Sequence, residues 1–306
     1  MLMIAFVFPG QGSQYVGMGK SVYERQKGIF EEASSALNFD IAKLCFEGPE
    51  IELNRTENTQ PALLTVSYAL LKEVSALKIK PAYVAGHSLG EYTACVASEV
   101  FSFSDAVRIV RKRGELMQQA QPEGKGAMAA VLGLDEGTLR EICDSISHFY
   151  VDLANLNCPG QVVISGEAEA VARAMEIAKE RGAKKVVPLQ VSIPSHCKLM
   201  REAADKFAQF LKDFKLNAPK IPVVTNVDAE EKRESQALFD ALVKQLYSPV
   251  RWQDCVKYMI SKGVHTFIEI GPGKVLSGLI KRIDGNVRVL NVEGLSDLDK
   301  LKEELK

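Results

Sequence analysis

A two-lobed α/β fold is what this 306-residue sequence predicts, and three features predict it. Short β-branched and apolar runs alternate with longer stretches of helical period, the pattern of a mostly parallel sheet covered by helices. The length favours two lobes over one compact core. Between residues 124 and 192 the rhythm changes, so a small lobe is expected there. It would be inserted between the two halves, 1–123 and 193–306, of a larger α/β lobe.

In the larger lobe, strands are expected at 3–8, 82–86, 221–227, 265–270 and 287–291. Helices are expected at 61–77, 89–99, 103–120, 196–214, 235–246, 252–261 and 274–282. "PEGKG" at 122–126 has the composition of a linker. After it, "GAMAAVLGL" reads as a strand and 135–147 as a helix. "HFYVDLANLN" and "GQVVISG" read as two strands joined near Cys158-Pro159-Gly160. A helix over 167–181 and the strand "AKKVVPLQV" complete a β-α-β-β-α-β order, the split βαβ unit of a ferredoxin-like lobe. The cleft between two lobes is a common place for a ligand.

Composition narrows the function. The 38 basic and 39 acidic side chains leave a formal charge of −1, with no global basic excess to suit a nucleic-acid binder. The apolar opening "MLMIAFVF" is stopped by Pro9-Gly10 and has neither the basic lead nor the cleavage site of a secretory signal. No apolar run is long enough to cross a bilayer. Six scattered cysteines without a Cys-x-x-Cys pair fit reduced, buried thiols better than disulfides or zinc. A soluble cytoplasmic protein with no metal site is expected, with monomer as the default.

The chemistry gathers around Gly86-His87-Ser88-Leu89-Gly90. Chance can supply a Gly-x-Ser-x-Gly pentapeptide, but here a strand runs into it and a helix leaves it. That is the setting of a nucleophile elbow, which lifts the serine oxygen out of the sheet. The start of the helix leaves free N–H groups near Leu89, suited to an oxyanion. The competing reading is a glycine-flanked helix-cap serine. Of four histidines, His87 adjoins the serine and points away as a packing residue, while His148 and His265 sit at strand entrances. His196 falls on the inward stripe of the helix expected at 196–214, where the helix N-terminus disfavours an imidazolium. It is the favoured base, against the alternative of a satisfied core histidine. Along 103–120, helical counting places Arg113 on the apolar face, between Ala106, Ile109 and Met117. A buried guanidinium needs an anion. Either an internal carboxylate or the carboxylate of a ligand would serve.

Beyond the pentapeptide, the segments "FPGQGSQYVGMG" (8–19), "NTQPALLTVSYAL" (58–70), "RGELMQ" (113–118), "SPVRW" (248–252) after Gln245, and "EIGPGKVLSGLIKR" (269–282) occur in this order. Together with "GHSLGEYTA" (86–94) they resemble bacterial malonyl-CoA:acyl carrier protein transacylases, from the first strand to about residue 282. The resemblance implies an α/β-hydrolase-like larger lobe. It implies Ser88 as the acylated nucleophile, His196 as its proton shuttle, Arg113 as the malonyl carboxylate site, and Gln11 with Leu89 in the oxyanion hole. By the same resemblance the main-chain carbonyl of Gln245 orients His196, which accounts for the lack of a recognisable acidic triad member, and Asn155 lines the substrate.

The implied cycle is ping-pong transfer of malonyl from malonyl-CoA to the phosphopantetheine thiol of acyl carrier protein, for fatty acid synthesis, without metal or redox cofactor. An acidic carrier protein needs a basic face, for which Lys179, Arg181, Lys184, Lys185, Lys281 and Arg282 are candidates. The alternatives are a serine thioesterase or esterase, which would pair a late histidine with an acid, and a catalytically silent acyl-binding protein.

Overall fold

The computed structural model describes residues 3–122, 124–189 and 193–305. Its strands, in chain order, are β1 (Ile4–Phe8), β2 (Tyr83–Gly86), β3 (Gly126–Leu132), β4 (Val151–Cys158) and β5 (Gln161–Glu167). They continue with β6 (Lys185–Pro188), β7 (Val223–Val224), β8 (Glu231–Lys232), β9 (Thr266–Ile270) and β10 (Arg288–Val292). Two sheets result, ordered β10-β9-β1-β2-β7-β8 and β4-β5-β3-β6.

In the larger sheet the first five strands are parallel, and only the β7–β8 pair is antiparallel. A parallel sheet needs cover on both faces, and β1, β2 and β9 are buried throughout. Side chains alternate along β1: Ile4, Phe6 and Phe8 enter one core, while Ala5 and Val7 enter the other. The first core is built with α1 (Lys20–Leu37), α2 (Ile41–Glu47), α3 (Glu50–Leu53), α4 (Thr56–Ala76), α5 (Gly90–Ala97) and α6 (Phe103–Gln118).

The smaller sheet is antiparallel and carries α7 (Glu136–Asp144) and α8 (Ala168–Glu180), whose apolar sides share one core with it. Gln190 and Val191, the end of the last strand expected in this segment, lie outside the described residues. After it come α9 (Arg201–Leu211), α10 (Ser235–Gln245), α11 (Trp252–Ser261), α12 (Val275–Ile283) and α13 (Ser296–Glu304). The two sheets meet where β4 bridges the 248–252 segment: Leu156 N–H donates to Val250 O and Val250 N–H to Ala154 O, both at 2.8 Å.

Two expectations about elements need correction. The helix expected from residue 196 begins at Arg201, behind a short 3-10 turn at Lys198–Met200. His196 therefore lies in the preceding loop with φ 61°, five residues before α9 and not in its first turn. The strand expected over 221–227 is paired only at Val223–Val224.

Two features place the site. Phe8 pairs with Gly86 in register, so the Pro9-Gly10-Gln11 loop leaves β1 beside the His87-Ser88 turn leaving β2. That is the carboxyl end of a parallel sheet, where such folds bind ligands. Second, α4 runs on through Pro61, whose missing N–H leaves the carbonyl of Glu57 without its helical partner. Arg111 Nη1 donates to that carbonyl at 3.2 Å. Here α4 and α6 cross so closely that a β-carbon on Gly114 would meet the Glu57 backbone 2.6 Å away. This contact brings Gln60 on α4 to Arg113 on α6.

Candidate active site

The elbow is a crowded turn. A β-carbon on Gly86 would collide with the backbone of Gly90, and one on Gly90 with the carbonyl of Phe8, so glycine is obligatory at both positions. Ser88 takes φ 51°, a left-handed conformation that a non-glycine residue holds only when its surroundings enforce it. Gln245 Nε2 donates to the Ser88 carbonyl at 3.0 Å, and Asn226 Nδ2 to the Gly86 carbonyl at 2.7 Å. Both of these side chains are fully buried.

Ser88 Oγ lies 2.8 Å from His196 Nε2, and His196 Nδ1 lies 2.9 Å from the main-chain oxygen of Gln245. A carbonyl only accepts, so Nδ1 carries the proton and Nε2 is left to accept from the serine hydroxyl. Burial, first, and the Arg113 cation, second, push the His196 imidazole down to about 3. The ring is therefore neutral near pH 7. An amide carbonyl fixes this tautomer but supports an imidazolium less than a carboxylate would.

Arg113 is 1% exposed. Its Nη1 donates to Gln60 Oε1 at 2.8 Å, and its Nη2 donates both to Gln245 Oε1 at 2.9 Å and to Ser88 Oγ at 3.1 Å. The guanidinium carbon stands 5.2 Å over the Tyr92 ring. Among the described residues no acid lies within ion-pair distance of Arg113, and its Nε has no acceptor. A buried cation contacted only by neutral acceptors is poorly compensated, and its fork is suited to grip an anion.

The nearest acid in the network, Glu91, is turned to another task. Its Oε2 accepts the backbone N–H of Asn226 at 2.7 Å, its Oε1 has no partner, and burial pushes its carboxyl up to about 7.

These groups open into a cavity of about 120 Å³, large enough for a short acyl group and far below the size of a typical cofactor pocket. Gln11, Leu89 and Met117 line it from one side, and Met128, Asn155 and Leu189 from the other. The Gln11 side chain donates to Thr56 Oγ1 at 3.0 Å. Among the described residues, the backbone N–H groups of Gln11 and Leu89 donate to no protein acceptor, as donors reserved for an oxyanion would. Asn155 is buried and bridged to Val250. His87 lines the cavity too, with Nε2 2.9 Å from Asn157 Oδ1 and its ring against Trp252. His148 and His265 do not line it.

All seven residues expected at the site thus line or directly border one cavity. Sequence reasoning missed Gln60, Glu91 and Asn226. Glu91 alone carried a signal, as a charged residue inside an otherwise apolar helix. Among the described residues no group of three or more His, Cys, Asp or Glu side chains could hold a metal ion, and no helix is long and apolar enough to cross a membrane.

Comparison with known proteins gives one consistent result. The family described as "Acyl transferase domain" matches residues 5–294. The malonyl CoA-acyl carrier protein transacylase of Bacillus subtilis (strain 168) is 49% identical over 297 residues, covering 95% of this chain and 94% of that one. The malonyl CoA-acyl carrier protein transacylase of Coxiella burnetii superimposes with a TM-score of 0.97 at 44% identity, covering 99% and 98%. A malonyl-transacylase solved in complex with a type II PKS acyl-carrier protein matches with a TM-score of 0.96 at 45% identity, covering 99% of each chain.

Proposed function

Because this chain belongs to the acyl transferase family, among its malonyl CoA-acyl carrier protein transacylases, we propose that it moves malonyl from malonyl-CoA to the phosphopantetheine thiol of acyl carrier protein through a malonyl-Ser88 ester. It supplies fatty acid synthesis in the cytoplasm. The observation that carries this reading is the buried, unneutralised guanidinium of Arg113 beside a serine already hydrogen-bonded to a neutral imidazole.

The cycle has two symmetrical halves. The malonyl carboxylate seats on Arg113, which places the thioester carbon against Ser88 Oγ. His196 Nε2 takes the hydroxyl proton as Oγ attacks. The resulting oxyanion is met by the backbone N–H groups of Gln11 and Leu89, because the Ser88 N–H is already donated to Asn226 Oδ1 at 2.7 Å. Collapse expels the coenzyme A thiolate, which takes the proton from His196. The carrier thiol then gives its proton to His196, attacks the ester, and leaves with the malonyl group as Ser88 regains the proton. Thioester becomes ester and then thioester again, with no net redox change, so the cycle calls for no redox cofactor. Gln245 serves both halves: its main-chain oxygen orients the base and its side chain orients Arg113.

The test is intact-protein mass spectrometry after mixing with malonyl-CoA. A malonyl adduct on Ser88 that is discharged by holo acyl carrier protein is expected. Free malonate with no adduct would indicate a hydrolase and overturn the assignment.

A further inference from the structure

We propose that Arg113 restrains the Ser88 hydroxyl until an acyl carboxylate draws its guanidinium away, so that the substrate's own carboxylate releases the nucleophile. This rests on the reading of the site as a dicarboxylic acyl-transfer centre and deepens it: selection against neutral acyl groups falls on the rate of acylation as well as on binding.

The argument starts from the serine oxygen, which has one proton and two lone pairs. The proton faces His196 Nε2 at 2.8 Å, and one lone pair receives the Arg113 Nη2 proton at 3.1 Å. The donor is a cation, so even at 3.1 Å this bond withdraws electron density from the atom that must attack. The fork that makes this bond is itself undersupplied. Its other hydrogen-bond acceptors are the amide oxygens of Gln60 and Gln245, its Nε has none, and its one further neighbour is the face of the Tyr92 ring. A carboxylate gripping the fork bidentately offers the better acceptor, and it competes for the Nη2 proton that Ser88 now receives.

The same event acts on the base. Arg113 is the charged neighbour that disfavours the His196 imidazolium, and a bound carboxylate offsets that charge as Nε2 takes up the serine proton. An acyl group without a carboxylate meets a capped oxygen and a base held weak. A carboxylated one removes both restraints by the act of binding.

The experiment measures sulfonylation of Ser88 by methanesulfonyl fluoride, a small neutral probe. Oγ bonds to sulfur, fluoride leaves, and the hydroxyl proton passes to His196. Intact-mass kinetics are recorded with added sodium formate, against sodium chloride at equal ionic strength. Formate is expected to accelerate labelling of the unaltered protein at least threefold and saturably. An occupant that merely filled the cavity would slow the reaction. Arg113→Met is expected to label without formate at the accelerated rate and to show no formate response.

Formate that leaves the rate unchanged, or only lowers it, overturns the proposal on the unaltered protein alone, whether or not the variant folds. A malonyl-Ser88 adduct formed without a formate response overturns the restraint and leaves the transferase assignment standing. Formate acceleration without a malonyl adduct supports the restraint and overturns that assignment.

Discussion

The backbone N–H of Ser88 donates to Oδ1 of Asn226 at 2.7 Å, so the serine's own amide is committed to holding the turn. Asn226 is held in its turn by Glu91 and accepts a second, longer bond from Gln245 Nε2 at 3.3 Å. Backbone in this left-handed region costs roughly 1–3 kcal/mol, and this clamp opposes its relaxation. Asn226→Ala is expected to lower kcat/KM on the order of tenfold to a hundredfold, with a smaller effect on KM. Asn226→Asp keeps the acceptor for Ser88 but loses the donor to Gly86, so it should recover only part of the rate. Steady-state kinetics beside thermal melts check this: losses that merely track unfolding in both variants would refute the positioning role.

Among the described residues Arg113 has no acid within ion-pair distance, and the proposed function gives it the substrate carboxylate as counterion. Separating a buried charge pair typically costs about 3–5 kcal/mol, equivalent to at least a hundredfold in rate. Arg113→Ala should therefore reduce malonyl transfer about a hundredfold or more and raise the use of acetyl-CoA relative to malonyl-CoA. Competition between the two thioesters measures it, and an unchanged preference would exclude the carboxylate role.

The His196 imidazole is depressed to about 3 by burial and by Arg113, whereas an unfolded histidine titrates near 6.5. The base is neutral above its folded value, so kcat/KM for malonyl-CoA should show no limb at pH 6.5 and should hold down to about pH 5. Stability behaves differently. Between about 3 and 6.5 the unfolded chain binds the proton and the native chain does not, so this group lowers stability as the pH falls through that window. A pH–rate profile of the Glu91→Gln variant, in which that neighbouring carboxyl cannot titrate, with an inflection at 6.5 would contradict the assignment.

Glu91 has the opposite sign. Its folded carboxyl titrates at about 7, above its unfolded value, so stability falls as pH rises from about 4.5 to 7, where the native state alone keeps the proton. Glu91→Gln retains an oxygen for the Asn226 N–H and cannot ionise. It should raise the melting temperature more at pH 8 than at pH 5. Equal shifts at the two pH values would argue against a strained buried charge.

Of the basic residues near the small sheet, Arg181 pairs with Glu141, Arg282 donates to Gln161, and Lys281 donates to the Val287 carbonyl. Lys179, Lys184 and Lys185 are exposed and have no ion-pair partner among the described residues. Reversing these three charges should raise KM for acyl carrier protein several-fold and flatten its salt dependence. Acylation by malonyl-CoA should be unaffected. An unaltered carrier KM would place docking elsewhere.

The parallel sheet and the serine turn were legible because each depends on local pattern: continuous apolar runs, and two glycines where no β-carbon fits. Arg113 was legible because helical counting fixes a face, and the structure buries it. The rest depends on groups without a pattern. Gln60 and Asn226 are neutral amides whose task appears only once α4 crosses α6 and once β7 reaches β2. The group that holds His196 Nδ1 is the main-chain oxygen of Gln245, and a backbone carbonyl is present at every residue. The helix start misplaced at residue 196 followed an apolar stripe that is real in α9, but the stripe continues past the 3-10 turn that ends the coil. Helix α1 was missed because Gln26 breaks its period with non-helical dihedrals and its buried positions are few.

The strand order carries one more consequence, for the protein as it is made. β1 is flanked by β2 and by β9, whose partner residues are about eighty and two hundred and sixty positions further along. A growing chain that already holds Ser88 has neither the His196 ring, the Gln245 carbonyl, nor the strand that closes the sheet beside the Pro9-Gly10-Gln11 loop. Such long-range closure is slow to form. It also means that Ser88 can meet the residue that holds both its carbonyl and the His196 ring only after a further 157 residues have joined the chain.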